Sequence, residues 1–340
     1  MLFVYLFVLI VCVLFFNKFL LKKNFLLSKT GDGHQKFASS SKIPLTGGIY
    51  IFVGCLYFFN DDILSFILFS FVILILGIFS DLKLIKSASI RFLLQIFLVL
   101  TFIIFNDVQI VDTRIFLLDS LLSNSITNYF FVTFCILIVI NGSNFIDGMN
   151  TLTIGYYLLV SCILLYLNLN QSIIIDEISI IYFLILLLTV FLLNISNQIY
   201  LGDSGSYLLG FSFSIFLISI YNFNKDISPF FIILLLWYPC YENLFSILRK
   251  NILKKSAMDP DENHFHQLIF FLLKKRNKLG IFSVNILTAQ IINSYHLIIF
   301  LIGANFISNS QIQVFLILFN IIIYTFIYFK AYVFKYKKGA

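Results

Sequence analysis

Charged residues are scarce in this chain. Only 11% of its 340 residues are Asp, Glu, Lys or Arg, whereas 60% are hydrophobic and 18% are aromatic. Soluble domains carry about 25% charged residues, so this composition, with a mean hydropathy of +1.00, indicates an integral membrane protein. Prolines number four, and polar stretches are few and short. No room is left for a separate soluble domain, and we expect one membrane domain over residues 1–340.

Paired cysteines and nucleotide-binding loops are also missing. The five cysteines lie singly inside apolar runs, without metal-binding spacing, which indicates packing residues rather than disulfides. The chain has no Walker A loop, no Gly-x-Gly-x-x-Gly and no Gly-x-Ser-x-Gly motif, which argues against an ATP-driven machine or a serine hydrolase. The net charge of +7 comes from a few clusters, which indicate membrane orientation rather than nucleic-acid binding.

Long apolar runs are what the chain has in abundance. About 20 residues cross a bilayer as a helix, and this length predicts an all-α integral membrane bundle of about eleven transmembrane helices. The predicted spans are 1–21, 45–60, 63–79, 90–105, 126–142, 151–169, 172–193, 205–221, 228–248, 282–306 and 310–330. The first run has its lysines after the apolar residues rather than before them. It therefore predicts a retained helix with its N-terminus outside, not a cleaved signal peptide.

The basic residues support this topology. Eleven spans from an outside N-terminus place the C-terminus in the cytoplasm. The predicted cytoplasmic loops lie near 22–44, 80–90, 143–150, 194–204 and 249–281. With the adjoining span ends and the C-terminal segment included, the predicted inside segments are 18–44, 80–91, 143–150, 194–204, 249–281 and 330–340. They hold 21 of the 23 lysines and arginines, and only Arg114 and Lys225 fall outside. Positive charge marks the cytoplasmic side of membrane proteins, so the distribution agrees with the predicted orientation.

The stretch 141–149, at the end of the fifth predicted span, concentrates polar side chains beside hydrocarbon. Asn141, Asn144 and Asp147 are spaced three residues apart, which places them on one face of a helix. A carboxylate in such a place is costly unless it has a partner or a task. By itself, this pattern is more typical of a helix end solvated at the bilayer surface than of a functional site.

Three further polar clusters fall on the same predicted face. They are Ser80–Asp81 after the third span, Gly202–Ser206 after the seventh, and His264–His266 in the basic loop after the ninth. Four clusters from distant stretches on one side of a membrane indicate a single site. Asp81, Asp147 and Asp203 supply the hard oxygen ligands that Mg²⁺ or Mn²⁺ prefers. Mg²⁺ uses one or two carboxylates, which leaves a third for proton transfer or positioning.

Both the glycine-rich turn and the histidine loop have simpler explanations as well. The glycines beside Asp203 would let a phosphate approach the start of a helix, although Gly-Asp-Ser-Gly is also ordinary turn chemistry. His264 and His266 make a poor zinc site, but among lysines and arginines they suit a diphosphate; a loop resting on anionic lipid heads fits the charge equally well. His34 and His296 are expected to be structural. Glu242, inside the ninth span, is expected to pair within the bundle near Arg249.

Four motifs in this order carry a resemblance to a known family. They are GIFSDLKLIKSASIRFLLQ at 77–95, NGSNFIDGMNTL at 141–152, LGDSGSYLLG at 201–210 and PDENHFHQ at 260–267. Together they resemble the polyprenyl-phosphate N-acetylhexosamine-1-phosphate transferases, with phospho-N-acetylmuramoyl-pentapeptide transferase as a cousin. The spaced histidines resemble the hexosamine-phosphate branch more closely.

The resemblance implies transfer of a sugar 1-phosphate from a UDP-sugar to polyprenyl (undecaprenyl) phosphate, with release of UMP. The implied location is the cytoplasmic face of a bacterial inner membrane, where the product starts a cell-envelope glycan such as lipopolysaccharide or a cell-wall polysaccharide. The implied partners are the UDP-sugar, the lipid and the bilayer, without nucleic acid. A homodimer stays open.

The resemblance also implies residue roles. Asp81, Asp147 and Asp203 would be catalytic, with Mg²⁺ or Mn²⁺ held chiefly by Asp203 and also by Asp147. Asp81 would lie behind the metal or accept a proton from the lipid phosphate. The implied substrate-binding residues are Asn141, Asn144, Arg91, Asn194, His264 and His266. Direct attack and a two-step route through an aspartyl intermediate both remain open.

The chain departs from the family pattern at four positions. Ser80 replaces the first of two aspartates, Asn150 replaces a frequent second aspartate, and Glu262 and Gln267 replace an Arg and a His. A serine cannot take over the metal or proton work of a carboxylate, which keeps open a catalytically impaired member acting as a scaffold. The alternative from another class is a cation-coupled transporter. Such a protein would carry its acids near mid-bilayer, whereas these lie at the span ends.

Overall fold

The computed structural model describes residues 2–28, 42–58, 63–254, 262–276 and 278–336, and its regular elements there are helical apart from one isolated bridge. The helices are α1 (Leu2–Lys23), α2 (Gly47–Cys55), α3 (Leu64–Asp81), α4 (Ala88–Phe105), α5 (Phe116–Leu122), α6 (Ser125–Ile146), α7 (Leu152–Leu169), α8 (Glu177–Ile195), α9 (Gly202–Phe223), α10 (Pro229–Leu235), α11 (Trp237–Ile252), α12 (Phe265–Arg276), α13 (Ile281–Ala304) and α14 (Ser310–Tyr336). The predicted all-α class is confirmed.

Nine helices in the described ranges are long and apolar enough to cross a membrane: α1, α3, α4, α6, α7, α8, α9, α13 and α14. The pair α10 and α11 bends by 75° and brings the total to ten if it forms one broken span. A polytopic helical membrane protein is therefore confirmed, but the structure does not reproduce the predicted count of eleven. The difference lies at the predicted span 45–60, because α2 has nine residues and covers about 14 Å of the ~30 Å hydrocarbon core.

Although α2 is short, hydrogen bonds join its first turn to the segment before α9 and its last turn to α8. The Gly47 amide donates to the Tyr200 carbonyl just before α9, at 3.0 Å. The Gly54 carbonyl accepts from the Tyr182 hydroxyl, near the start of α8, at 2.7 Å. The helix therefore runs away from the place where α9 begins, as a crossing helix would. Parts of the predicted first and last cytoplasmic loops, at 29–41, 255–261 and 277, lie outside the described residues.

Helix α9 is the central helix of the bundle, and small residues let its neighbours approach closely. In the most apolar 18-residue stretch of α9, 67% is buried inside the bundle, whereas the corresponding figure for α4 is 22%. A Cβ added to Gly48 would lie 2.7 Å from the Gly205 amide nitrogen, and one added to Gly210 would lie 2.7 Å from the Ile140 Cα. Membrane helices lack a hydrophobic force between them and rely on such close backbone packing. As a result, α2, α3 and α6 all meet the first half of α9.

The end of the bundle that holds Ser80, Asp147 and Asp203 is called the site end below, and the opposite end is called the outer end. At the outer end, the Arg114 guanidinium donates to the Ser308 carbonyl, the Ser310 hydroxyl and the Ile227 carbonyl, at 2.8, 3.0 and 3.1 Å. It thereby fastens the loop before α5 to the turns that precede α10 and α14. Backbone carbonyls at helix ends need such donors, because the helix itself offers them none.

Candidate active site

Three helix ends meet at the site end of the bundle. Helix α3 ends at Asp81, α6 ends one residue before Asp147, and α9 begins next to Asp203. They converge because the close packing of α3 and α6 on α9 brings their ends to one level. Gly77 of α3 is part of this contact, since a Cβ there would overlap the backbone of Ser204. The clusters predicted to share a face are therefore brought together.

Asp81 holds the start of α9. Its Oδ1 accepts the Asp203 amide at 2.8 Å and its Oδ2 accepts the Ser204 amide at 3.1 Å. Free amides and the positive dipole end make a helix start a good partner for a carboxylate. Gly202 has φ +68°, and a Cβ there would lie 2.8 Å from Asp81 Oδ2, so glycine is needed at this turn. Asp81 thus has the position expected of a residue behind the metal. The other expected role, accepting a proton from the lipid phosphate, would compete with these two hydrogen bonds.

Asp203 is surrounded by polar side chains from three other helices. Its Oδ1 accepts from Asn144 Nδ2 at 2.7 Å, and its Oδ2 accepts from an Arg91 NH at 3.0 Å and from the Ser80 hydroxyl. Arg91 also donates to the Ser80 oxygen. The Asp203 and Arg91 side chains are each 26% exposed, so a ligand can reach them. Ser80, at the position of the missing aspartate, is a hydrogen-bond partner of the remaining carboxylate.

Asn141 and Asn144 share the face of α6 that their spacing predicts. The Asn144 amide also donates to the Ser206 hydroxyl at 3.2 Å, and the Asn141 amide donates to Gln95 Oε1 on α4 at 3.0 Å. Asn144 is thus next to the candidate metal ligand, whereas Asn141 joins α6 to α4 one turn further into the bundle. Gln95 was not singled out by sequence reasoning as a functional residue. It lies one turn after Arg91 on α4, and that helical spacing could have indicated it.

Asp147 follows the last residue of α6. Burial, and to a smaller extent the nearby charge of Asp203, raises the pKa of Asp147 to about 7. The charge of Asp203 thus opposes ionisation of Asp147, and Arg91 is the cation that pairs with Asp203. A divalent cation would relieve this repulsion.

The donors present fit Mg²⁺ better than zinc. Among the residues that the structure describes, no group of three or more His, Cys, Asp and Glu side chains is placed to hold a metal ion. Mg²⁺ needs no such group, because it takes one or two carboxylates and completes its shell with water and substrate phosphate. Asp203 and Asp147 would supply the carboxylates, with the Ser80 and Asn144 oxygens beside them. The sequence predicted that Asp81 would not be a direct metal ligand. In the structure, its carboxylate oxygens accept hydrogen bonds from two backbone amides instead.

The histidine loop lies against the turn that carries Asp147. His264 immediately precedes α12, and its amide donates to Gln267 Oε1 at 3.1 Å, which is half of a capping box. The centroids of the His264 and Phe145 rings are 5.2 Å apart, and the His266 ring stacks parallel to the His264 ring with centroids 5.8 Å apart. A Cβ on Gly148 would overlap the His266 ring. Gln267, which replaces a family histidine, therefore serves as a helix cap here.

His266 is a neutral group in this site. Burial, with a smaller effect from His264, lowers its pKa to about 3. Neither of its ring nitrogens has a hydrogen-bond partner within the described ranges, although the residue is fully buried. It can therefore offer a neutral N–H to a ligand, but it does not supply the positive charge that its basic surroundings suggested.

Asn194 lies behind the site rather than in it. Its Oδ1 accepts the Thr151 amide at 2.6 Å and its Nδ2 donates to the Ile199 carbonyl at 2.9 Å, which joins the turn after Asp147 to the turn before α9. This arrangement favours a positioning role over the substrate contact expected from the sequence. Asn150 donates twice, to the Asn194 carbonyl and to Asn197 Oδ1. A carboxylate could not donate in this way, which explains an asparagine in place of the family aspartate.

Two buried residues inside the bundle have the structural roles expected from the sequence. His296 is buried with Nδ1 2.8 Å from the Ile292 carbonyl, as a structural residue would be. Glu242 is buried and paired within the bundle as expected, but its partner is His264 rather than Arg249, which donates to the Asn263 carbonyl and the Tyr328 hydroxyl. The tertiary contact of Glu242 with His264 had no signal in the sequence. His34, Pro260 and Asp261 lie outside the described residues.

Comparison with known proteins identifies the family of this chain. The family model described as Glycosyl transferase family 4 matches residues 63–221, which include Asp81, Asp147 and Asp203. An undecaprenyl-phosphate alpha-N-acetylglucosaminyl 1-phosphate transferase of Thermotoga maritima is 30% identical over 227 residues, covering 66% of this chain and 67% of that protein. A probable undecaprenyl-phosphate N-acetylglucosaminyl 1-phosphate transferase of Bacillus subtilis is 26% identical over 254 residues, covering 69% and 68%. The suspected resemblance is confirmed, and the chain is an enzyme that belongs to glycosyl transferase family 4.

Proposed function

We propose that the protein transfers an N-acetylhexosamine 1-phosphate, with N-acetylglucosamine as the first candidate sugar, from a UDP-sugar to undecaprenyl phosphate. The products are undecaprenyl-diphosphate-sugar and UMP. Both relatives are named as undecaprenyl-phosphate N-acetylglucosaminyl 1-phosphate transferases, the second as a probable one, which supports the acceptor and the sugar. The observation that carries the proposal is the meeting of Asp203 with Arg91, Asn144 and Ser80 at the site end.

The reaction needs positioning and charge neutralisation rather than a covalent intermediate. An oxygen of the lipid phosphate attacks the sugar-bearing phosphorus, and the bond from that phosphorus to the UMP oxygen breaks. Both carboxylate oxygens of Asp203 are hydrogen-bonded, which favours a ligand role over attack on phosphorus. Direct transfer between the two substrates is therefore the route that the site supports better.

The residues around Asp203 have distinct tasks in this proposal. Arg91 would pair with a substrate phosphate when a metal takes its place on Asp203. His264 and the neutral His266 would donate N–H groups to oxygens of the sugar diphosphate. Bound Mg²⁺ or Mn²⁺ would neutralise diphosphate charge, and Asp203 and Asp147 would hold it. Asp81 would keep the start of α9 in place throughout.

The acceptor can reach the site from the membrane. Ile90, Leu93 and Leu94 flank Arg91 on α4 and are 52%, 63% and 37% exposed. An isoprenoid chain lying along this apolar face would bring its phosphate to Arg91. The nucleotide would arrive from the cytoplasm, because the distribution of basic residues favours this side of the membrane for the site end. We propose the bacterial inner membrane as the location.

The direct test is incorporation of labelled sugar phosphate into lipid. Membranes containing the protein are incubated with undecaprenyl phosphate and a panel of labelled UDP-sugars. We expect a lipid-linked product and one UMP per product, lost in excess EDTA and restored by Mg²⁺. Full turnover in EDTA would remove the metal from the proposal, and a wild-type protein silent with every UDP-sugar would overturn the function itself.

Ser80 keeps a second candidate function open. If a carboxylate is needed at this position, the chain is an impaired family member that acts as a scaffold. The discriminating variant is Ser80→Asp, which restores the aspartate of the family pattern. A wild-type protein without activity that becomes active as Ser80→Asp would establish the scaffold and exclude the transferase.

A further inference from the structure

Glu242 is a carboxylate buried inside the bundle, with 0% of its surface exposed. Its Oε1 lies 2.9 Å from His264 Nδ1, and its Oε2 accepts the Tyr324 hydroxyl at 2.6 Å. The Phe265 amide approaches Oε1 at 3.3 Å. A buried charge is costly unless several donors surround it, so this cluster is a built arrangement rather than an incidental contact. It links α11 and α14 to the residue that starts α12.

The arrangement fixes the orientation of His264. A carboxylate only accepts hydrogen bonds, so the ring must present Nδ1–H to Glu242. The other nitrogen, Nε2, then lies on the far side of the ring, away from the carboxylate. The His264 side chain keeps 10% of its surface exposed, whereas the Glu242 side chain keeps none. Because Glu242 covers the Nδ1 side of the ring, a ligand that reaches the exposed part of His264 can meet Nε2.

Helix α14 holds the same loop at further points. The Phe265 ring stacks on the Tyr324 ring with centroids 4.5 Å apart. One helical turn later, the Tyr328 hydroxyl donates to the Asn263 carbonyl at 3.0 Å. Near the end of α14, Lys335 Nζ donates to Asn263 Oδ1 at 2.8 Å. The last helix of the chain thus fastens the residues just before His264.

We propose that Glu242 is a positioning residue that acts through His264: supported by Tyr324 of α14, it sets the ring orientation and holds Nε2 towards the sugar diphosphate. The expected effect on kcat rests on the transferase function proposed above. The expected orientation of the His264 ring does not depend on that function. It also gives α14 a task, since this helix lies outside the matched family range of residues 63–221.

The first experiment measures kinetics of four single variants and one double variant, all full-length and in membranes. Glu242→Gln replaces one acceptor oxygen by a donor and should lower kcat about 10–100-fold, the scale seen when a residue that orients a functional histidine is lost. The KM for the UDP-sugar should change less than about threefold, because His264 is expected to act mainly in the transition state. Tyr324→Phe keeps the stacked ring but loses the hydroxyl and should lower kcat about three- to tenfold.

The matched control is Tyr241→Phe. The Tyr241 hydroxyl shares a hydrogen bond with Thr325 between the same two helices, at 3.3 Å, rather than with Glu242, and phenylalanine keeps the ring that packs on Tyr324. Its kcat should stay within about twofold of wild type. His264→Asn is the reference variant, since its amide can still donate to Glu242 while Nε2 is gone. Adding Glu242→Gln to His264→Asn should cause no further loss beyond about twofold, because a residue that acts through His264 has nothing left to orient.

The second experiment needs no activity. Nitrogen-15 NMR of histidine-labelled protein, with the four histidines distinguished by His264→Asn, should show His264 protonated at Nδ1 in wild type and altered in Glu242→Gln. A wild-type ring with its proton on Nε2 alone would overturn the proposal, as would additive losses in the double variant or equal kcat in Glu242→Gln and wild type. An inactive wild-type protein with the expected spectrum would instead overturn the proposed function and leave the positioning of His264 standing.

Discussion

The two ends of the bundle use similar residues in different ways. At the outer end, the Asp119 carboxylate accepts the amide and hydroxyl of Thr113 at 2.7 and 2.6 Å, and Arg114 donates to carbonyls. At the site end, Asp203 is bound by side chains alone: Ser80, Arg91 and Asn144 from three different helices. The partners at the outer end are residues nearby in the sequence or backbone carbonyls. The partners of Asp203 come from distant helices and are brought together by helix packing.

This difference indicates which polar groups serve the fold and which are ready for a ligand. Backbone partners cannot turn away, so Asp119 and Arg114 close loops. Side-chain partners can rotate, so Arg91 can release Asp203 when a metal or phosphate arrives. His266, buried with both ring nitrogens unpartnered in the described part of the chain, belongs to the site end as well. A buried polar group without a partner in a native structure needs an explanation, and a ligand bound at the site end would supply one for His266.

The largest expected effect is an all-or-none difference in thiol labelling between the two ends of the bundle, because we expect them to lie on opposite sides of the membrane. Single cysteines in a cysteine-free protein at positions 84 and 200 report the site end, and those at 117 and 225 report the outer end. We expect the first pair to react with a membrane-impermeant thiol reagent only after permeabilisation and the second pair to react in intact cells. Labelling of 84 and 200 from opposite sides would contradict the shared site.

The next effect distinguishes the two aspartates. Asp203→Asn removes a charged group beside the reacting phosphates and should lower kcat by about 10²-fold or more. Asp119→Asn keeps an acceptor oxygen for Thr113 at the outer end and should leave kcat within about twofold. The measurement is steady-state lipid-product formation by both variants at equal protein amounts. Equal losses would mean that the site end has no special role.

A smaller effect is expected from pH, through Asp147. Its pKa of about 7 in the folded protein lies above the ~3.9 of an unfolded chain, so the folded state holds the proton more tightly. Without a divalent cation, this group therefore lowers folding stability as pH rises from about 4 through 7. A cation needs the ionised carboxylate, so Mg²⁺ affinity should be about tenfold weaker at pH 6 than at pH 8.

Thermal melting of the purified protein across a Mg²⁺ titration at both pH values measures this affinity. In Asp147→Asn most of the pH dependence should disappear, while Asp119→Asn should retain it. Wild-type affinity that is equal at pH 6 and pH 8 would mean that Asp147 does not contact the cation.

The smallest effect is expected at Ser80. Ser80→Ala removes one hydrogen bond to Asp203 but leaves Arg91 and Asn144 in place, so kcat should fall about tenfold or less. Ser80→Asp should also remain within about tenfold of wild type, because Arg91 lies between the two acids. Initial rates over pH 6 to 9 compare both variants with wild type. A loss as large as that of Asp203→Asn would give Ser80 a direct role in the chemistry.

Hydropathy and residue spacing determined much of this protein without any tertiary information. The apolar runs predicted a polytopic helical bundle, and the structure confirms it, with α2 as the short exception. The spacing of Asn141 and Asn144 placed both on one helix face, and the order of four motifs indicated the family. These features are local, because each depends on a few consecutive residues and on the thickness of a bilayer.

Tertiary structure decided which partner each polar side chain has. Asp81 has the spacing of a metal ligand or base, yet packing of α3 on α9 places it on the backbone amides of Asp203 and Ser204. Glu242 lies near Arg249 in the sequence, yet it bonds His264 because the start of α12 folds back over α11. Asn194 has both ends of its amide used by the backbone. Hydrogen bonds act over about 3 Å, and contacts between distant segments at that range are set by helix packing rather than by residue order.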